Sequence, residues 1–222
     1  MKKIAALFLL IFNINSNEYV TGSIVDYSGL IKMPNARFKV EGTTSFVYSR
    51  FEPYGKYVFQ FSPFDWFEGS LFYTDINSLG YPDFERSSGG GQSQKDKGFT
   101  LKTRLIKEGE CYGFGFSFCD YLPNIAVGLV DFAGTSLSSS EYVVASKSVG
   151  RFDFTAGMGW GALGSSDNLG GNHFSAISEE FNNRGSGYSS GLMGGVPGVS
   201  SWFKGPTSCL LYTSPSPRDL YR

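Results

Sequence analysis

The sequence predicts an all-β fold, an antiparallel outer-membrane-type β-barrel of which this chain is the N-terminal portion. Three observations predict it. Apolar and polar side chains alternate along several segments, as they do in strands with one apolar face. The chain begins with an export signal. Its connections are short at one end of the predicted sheet and long at the other, which is typical of outer-membrane barrels.

The alternation is plainest in residues 151–161, where one set of positions is apolar and mostly large and the other is polar or glycine. Because successive strand side chains point to opposite faces, this segment predicts a strand with one apolar face and one thin polar face. Residues 142–147 begin with a tyrosine and two valines, which favour a strand, and residues 148–150 predict a tight turn, so the two segments are expected to form a hairpin. The other predicted strands are residues 38–50, 56–62, 67–77, 98–107 and 124–130.

The first residues, MKKIAALFLLIF, have a basic start and an apolar run that is too short for a permanent membrane-spanning helix. They predict export and a signal peptide over residues 1–16, cleaved between Asn15 and Glu18. Together with the predicted barrel, export implies a protein of the cell outer membrane. An uncleaved N-terminal anchor is the alternative. No cysteine lies near the cleavage region, so lipid anchoring is not expected there.

The connections separate into two kinds. Residues 63–66 and 148–150 are tight turns, whereas residues 78–97 and 162–201 are long and rich in glycine, serine and asparagine. Residues 109–122 are the exception on the turn side, and a disulfide between Cys111 and Cys119 is permissible there in an exported protein, although their spacing does not establish it. A soluble β-sandwich also alternates; export, outward aromatics, inward glycines and the loop asymmetry favour the barrel.

The end of the chain differs in character from the rest. The peptide CLLYTSPSPRD, which begins at Cys209, is what a transposon-end sequencing adapter encodes when it is read through in frame. We therefore interpret residues 209–222 as an adapter artefact and residues 17–208 as the N-terminal part of the barrel domain. A genuine tail rich in proline and serine is the alternative. On the adapter interpretation, the strand of residues 151–161 is left with an unpaired edge.

Composition and charge narrow the functional classes. A net charge of -1 gives no reason to expect a nucleic-acid partner. Aromatic residues make up 17% of the chain and charged residues only 18%, a mixture that favours a β-rich protein. No catalytic, metal or cofactor motif is recognisable, so an enzyme is not expected. His173 and the Glu179–Glu180 pair are interpreted as loop residues, and Asp75 and Asp131 as turn formers.

The inward face of the predicted sheet carries the candidate functional residues. Polar side chains that could line a lumen are Gln60, Thr74, Lys102, Arg104 and Asp153. Aromatic residues near the rims are interpreted as girdle residues at the lipid interface, and these are Trp66, Tyr73 and Trp160. Stacking of these rings on sugars is the alternative interpretation.

Several segments, taken in their order and spacing, resemble the YjbH family of exported proteins linked to exopolysaccharide production. They are residues 29–37 (GLIKMPNAR), 64–68 (FDWFE), 73–77 (YTDIN), 94–105 (QKDKGFTLKTRL), 121–131 (YLPNIAVGLVD), 134–147 (GTSLSSSEYVVASK), 152–164 (FDFTAGMGWGALG) and 201–206 (SWFKGP). The resemblance implies an outer-membrane barrel, partners in polysaccharide export and assembly, and no catalytic motif. The insert at residues 111–120 departs from the family pattern.

The resulting hypothesis is a barrel protein that assists exopolysaccharide secretion or assembly as a conduit or scaffold. Its expected partners are the exopolysaccharide, polysaccharide-export proteins and outer-membrane lipid. One alternative is a general diffusion porin. The other is a polysaccharide-modifying enzyme whose site lies in a C-terminal part beyond residue 208.

Overall fold

The computed structural model describes residues 28–30, 32–80, 92–110, 121–150, 152–185, 198–213 and 216–217. The described chain is built from antiparallel strands and a few 3₁₀ turns. None of its helices is long and apolar enough to cross a membrane. The strands are β1 (Gly29–Leu30), β2 (Met33–Pro34), β3 (Thr43–Phe51), β4 (Tyr54–Phe64), β5 (Phe67–Gly80), β6 (Ser93–Ile106), β7 (Asn124–Gly134), β8 (Ser140–Val149), β9 (Phe152–Gly161), β10 (Cys209–Tyr212) and β11 (Ser216–Pro217).

A nine-stranded antiparallel sheet contains β3 to β11, and β1 and β2 form a separate two-stranded sheet. From β3 to β9 every strand pairs with its neighbour in sequence, so this part is a simple meander. Both β10 and β11 pair with β9. The prediction of an antiparallel all-β fold is confirmed. The described sheet is open, with β3 at one edge, and closure into a barrel stays a prediction.

All the strands predicted from alternation are present, with shifted ends. The first begins at Thr43 and not at residue 38, because Phe38 turns into the interior and the Thr43 N–H donates to the Val40 carbonyl in a turn. The strand predicted from residue 98 begins earlier, at Ser93. Its polar start has no apolar alternation to reveal it, yet Lys95 and Asp96 pair in register with β5.

The two faces of the sheet have inverted polarity compared with a soluble protein. Large apolar side chains are exposed on one face, among them Phe46, Tyr57, Tyr73, Phe99 and Phe154. The opposite, inner face buries polar side chains, among them Gln60, Glu68, Ser70, Thr100 and Lys102. An apolar cluster also lies on the inner face, and its members are Ala36, Phe38, Ala126, Val130, Tyr142, Val144, Cys209 and Leu211.

A glycine on the inner face makes room for one large ring. Gly128 on β7 and Gly159 on β9 are the register partners of Tyr142 on β8, which is fully buried. A β-carbon on Gly128 would lie 2.1 Å from the Tyr142 ring. Gly128 therefore serves packing, because the ring lies where a larger side chain would be.

The edge of β9 is paired in the described chain, and an unpaired edge for residues 17–208 alone stays a prediction. Cys209–Tyr212 pairs with β9 from Gly159 to Ala156, in the part of the chain interpreted as adapter-derived. Side-chain alternation explains the pairing: Cys209 and Leu211 are buried in the apolar cluster, whereas Leu210 and Tyr212 are exposed. Whether residues 209–222 are native stays a prediction.

The interpretation of Trp160 as a girdle residue is wrong, because its side chain is only 1% exposed. The connection after β9 folds over it in 3₁₀ turns at Ala162–Gly164, His173–Ala176, Glu179–Asn182 and Val199–Ser201. The Trp160 ring stacks on Phe174 with centroids 4.7 Å apart and meets Phe203 edge-on. Trp66 and Tyr73 are 48% and 41% exposed. His173 is an exposed loop residue, as predicted.

Candidate functional site

The candidate site is the inner face of the sheet where the N-terminal part of the described chain crosses it. We call residues 28–30 and 32–40 the strap. The strap forms the β1–β2 pair with itself, and among the described strands it shares no ladder with the nine-stranded sheet. It is anchored by side chains: Ala36 is fully buried and Phe38 is 6% exposed within the apolar cluster of the inner face.

Glu68 on β5 holds the first part of the strap. Its carboxylate accepts hydrogen bonds from the Ser28 hydroxyl at 2.7 Å and from the Lys39 backbone N–H at 2.5 Å. The Lys102 ammonium, on the neighbouring strand β6, donates to the same carboxylate at 3.2 Å and also to the Arg37 carbonyl oxygen. These contacts satisfy two charged groups that are almost entirely withdrawn from water, as buried charges require.

The side chain of Lys39 points towards β3 and β4, the strands at the open edge of the sheet. Its ammonium donates to the Ser45 hydroxyl at 2.8 Å and to the Gln60 side-chain oxygen. Burial lowers the pKa of Lys39, and the nearby Glu68 carboxylate opposes that change in part. The orientation of the Gln60 amide follows from the contact, because its oxygen faces the cation and its nitrogen points away.

Arg37 binds the other half of the inner face. Its guanidinium donates to Glu108 at 2.6 Å, to the Ser148 hydroxyl at 2.7 Å and to both carboxylate oxygens of Asp153, one of them at 3.1 Å. Burial alone would lower the pKa of Arg37, but the hydrogen bonds to Asp153 and Glu108 outweigh it and raise the pKa. Bidentate pairing of this kind fixes orientation as well as charge.

Glu108 lies just after the end of β6 and joins the strap to the β8–β9 hairpin. Burial acts to raise its pKa, yet hydrogen bonds from Arg37 and from the Ser148 backbone N–H, at 3.1 Å, lower it overall. The Lys147 ammonium lies 3.2 Å from the second carboxylate oxygen. At neutral pH the carboxylate is therefore held in its charged form.

The structure places the predicted inward-facing residues on one face. Gln60 contacts Lys39, Lys102 contacts the Arg37 carbonyl, and Asp153 binds the Arg37 guanidinium. The Arg104 guanidinium lies over the Phe38 ring, 4.5 Å from its centroid. Thr74 is buried farther along β5, in register with Lys56 and Asp96. Whether this face lines a water-filled lumen stays a prediction, and Cys111 and Cys119 lie outside the described residues.

The sequence reasoning missed the residues that organise this site, namely Arg37, Lys39, Glu68 and Glu108. Glu68 has the same parity along β5 as Ser70 and Thr74, so an alternation extended to the start of that strand would have found it. Arg37, Lys39 and Glu108 lie outside the strands of the sheet. Only the path of the strap over the sheet brings them together.

The loop end of the sheet contains a separate cavity of about 300 Å³, which Ser139, Gly161, Arg184 and Thr207 help to line. The Arg184 guanidinium binds both oxygens of the buried Glu141 carboxylate at 2.7 and 2.8 Å, and the Ser139 hydroxyl at 2.7 Å. These contacts fasten the long connection to β8. The arginine therefore has a structural role.

Fold and site together define an all-β protein with an apolar outer face and a polar inner face covered by a strap. The profile of the YjbH family, described as "Exopolysaccharide biosynthesis protein YbjH", matches residues 23–211. This chain belongs to the YjbH family, and the resemblance of its motifs is confirmed. The description of the family names exopolysaccharide biosynthesis as its role.

One relative is a protein of Escherichia coli (strain K12) named "Uncharacterized lipoprotein YjbH". It is 39% identical to this chain over 180 residues, which are 81% of this chain and 24% of that protein. The chain thus spans about a quarter of the length of the curated relative it matches. No solved structure matches it.

Proposed function

We propose that this chain forms part of the wall of an outer-membrane β-barrel that helps to secrete or assemble an exopolysaccharide. The protein acts as a conduit or scaffold and not as a catalyst. Its partners are the polymer, proteins of polysaccharide export and assembly, and the lipid of the outer membrane.

The main support for this proposal is the polarity of the two faces of the sheet, with apolar side chains exposed on the outer face and polar side chains buried on the inner face. Rows of exposed rings cross the outer face, where Tyr48 and Tyr57 have centroids 4.7 Å apart and Tyr57 and Tyr73 have centroids 6.4 Å apart. The other face buries the Lys102–Glu68 ion pair. In water the exposed apolar side chains of this face would contribute no hydrophobic stabilisation. In a bilayer the apolar face contacts hydrocarbon, and the polar face stays inside the protein.

The family description supplies the link to exopolysaccharide biosynthesis, and the name of the Escherichia coli relative calls that protein a lipoprotein. Both support an exported protein that associates with a membrane. We assign the membrane contact of this chain to the apolar outer face of the sheet.

The absence of catalysis is part of the proposal. The carboxylates that lie near one another on the inner face, Glu108 and Asp153, are both engaged by the Arg37 guanidinium. A pair of glycosidase carboxylates needs one group that is protonated at working pH, and the pKa of Glu108 is shifted in the opposite direction. This charge state suits binding of hydroxyl groups better than proton transfer.

The test compares cells that lack the full-length gene with cells complemented by it, after membrane fractionation has located the protein. Released, surface-bound and periplasmic polymer are measured separately, together with the uptake of a small neutral solute. A conduit or scaffold predicts less polymer outside and more in the periplasm, with unchanged solute uptake.

The alternatives predict other results. A diffusion porin predicts slower solute uptake and normal surface polymer. A modifying enzyme predicts a normal amount of polymer with altered linkages or chain length. Either result, or recovery of the protein in the soluble periplasmic fraction, would overturn the proposal.

A further inference from the structure

We propose that the strap is a displaceable occupant of a binding groove on the inner face, and that the groove takes an extended, polyhydroxylated polymer chain. The inference rests on the proposed function, because it assigns the polymer a site within the same protein. The groove runs under the strap from Glu68 and Lys102 on β5 and β6 to Ser146 and Asp153 on β8 and β9.

The groove holds the strap through its side chains and, at three points, through its backbone. The Ser146 hydroxyl accepts from the Ala36 N–H at 2.9 Å, Glu68 accepts from the Lys39 N–H at 2.5 Å, and Lys102 donates to the Arg37 carbonyl. In these three contacts the strap contributes backbone donors and acceptors spaced along the chain, so the contacts do not depend on which side chains the strap carries. The hydroxyl groups of a polysaccharide are both donors and acceptors, so they can replace each contact.

The groove also has hydrogen-bonding capacity that the strap leaves unused. Within the described part of the chain, Gln60 Nε2 and Ser70 Oγ are buried atoms without a hydrogen-bond partner. These residues are 5% and 1% exposed and are register partners on β4 and β5. Gln60 lines a small cavity under the strap together with Lys39, Glu68 and Lys102. Unpaired buried polar atoms indicate that a ligand or water completes the site.

The strap is attached in a way that permits release. Among the described strands it shares no ladder with the sheet, so leaving the groove breaks hydrogen bonds and exposes the Ala36 and Phe38 anchors without opening any described strand pair of the sheet. Its strongest polar attachment is Arg37, which neutralises Glu108 and Asp153. When a ligand competes with an internal segment, its apparent affinity equals the intrinsic affinity multiplied by the fraction of protein in which the segment is displaced. Strengthening or weakening the attachment must therefore change polymer binding in opposite directions.

The first variant tethers the strap. Ala36→Cys with Ser146→Cys places a disulfide where the backbone of one residue hydrogen-bonds the side chain of the other. The full-length protein is purified in detergent, the linked peptide is verified by mass spectrometry, and binding of exopolysaccharide purified from the same cells is measured. We expect the oxidised variant to bind at least about tenfold more weakly than the same variant after reduction. The two single-cysteine variants, treated identically, are the controls.

The second variant loosens the strap. Arg37→Ala removes the attachment to Glu108 and Asp153 and should tighten polymer binding several-fold. Arg50→Ala is its control, because Arg50 is exposed and pairs only with the exposed Glu52 among its described ion pairs. Equal polymer binding by oxidised and reduced tethered protein, or weaker binding by Arg37→Ala, would overturn the inference, as would absence of binding to every variant.

Measuring polymer binding and polymer secretion separately distinguishes the groove proposal from the proposed conduit or scaffold function. If the polymer binds in the expected order but deletion of the gene leaves secretion normal, the groove stands and the conduit role fails. If secretion depends on the protein but the tether changes neither binding nor polymer release, the conduit role stands and the strap is a fixed part of the wall.

Discussion

Lys102 on β6 and Glu68 on β5 are direct register partners, and their charged groups lie 3.2 Å apart with side chains 1% and 9% exposed. Lys102→Met would leave the carboxylate buried without its cation, so we expect a loss of about 3–5 kcal/mol in the free energy of unfolding. The measurement is urea unfolding of the full-length protein in detergent. Lys97→Met on the same strand is the control, since Lys97 is exposed and its loss should cost less than about 0.5 kcal/mol. A loss in Lys102→Met no larger than that of the control would show that the pair is dispensable.

Gly128 is required by the ring of Tyr142, because an added β-carbon would lie 2.1 Å from it and the ring is fully buried. Gly128→Ala should reduce the free energy of unfolding by about 1–3 kcal/mol. Gly55→Ala is the matched control, since no heavy atom lies within 4 Å of its added β-carbon. The same unfolding measurement checks both variants, and equal stability of the two would contradict the packing argument.

The sequence allowed the strands and their faces to be predicted because alternation is a local property. Lys102, Arg104 and Gln60 were placed on the inner face by their parity along β6 and β4 alone. Trp160 was misplaced because parity gives a side of the sheet and not what covers it. Its ring lies under Phe174 and Phe203, which follow it in a long connection without strand periodicity.

The position of the strap could not be predicted from local sequence patterns either, because it depends on contacts between distant parts of the chain. Arg37 meets Asp153 and Glu108 across more than seventy positions of sequence, since the separations are 116 and 71. Residues 35–40 form neither strand nor helix, so no period marks the side chains that point to the sheet. Charge and burial at the site follow from tertiary packing, which a single sequence does not display.

Glu108 should make the stability of the protein depend on pH. Its pKa is lowered in the folded state, mainly by Arg37 and the Ser148 N–H against the opposing effect of burial. A lowered carboxyl pKa contributes stability that is complete above the unfolded value, about 4.3, and is lost as the pH falls through the folded value. The difference in unfolding free energy between wild type and Glu108→Gln should therefore be largest at neutral pH and shrink below about pH 4. Glu110→Gln is the control, because Glu110 is exposed and is not bound by the strap. A difference that stays constant from pH 7 to pH 3 would contradict this assignment.

If the outer face contacts lipid, a charged substitution on it should destabilise the folded protein. Phe99 is 47% exposed near the middle of β6, and Phe99→Lys should cost up to about 2–4 kcal/mol, the value for a lysine at the centre of the bilayer. We expect less folded, heat-modifiable full-length protein in the outer membrane. Ile177→Lys is the control, since Ile177 is 77% exposed in the loop after β9 and should tolerate a charge. Equal assembly of both variants would argue for a water-exposed face.

Asn172 holds the long connection over Trp160. Its side-chain oxygen accepts from Trp160 Nε1 at 2.9 Å, and its amide nitrogen donates to the Phe181, Phe203 and Gly205 carbonyls. Asn172→Ala would leave buried carbonyls and an indole N–H unpaired, each at a cost of about 1–3 kcal/mol. The contacts join the loop to itself and to one strand end, so the expected result is local: faster limited proteolysis between β9 and β10 with the sheet intact. Asn182→Ala, at an exposed position of the same connection, should leave the cleavage rate unchanged. Global unfolding of Asn172→Ala, or cleavage as slow as in wild type, would show that Asn172 does not act as a local fastening.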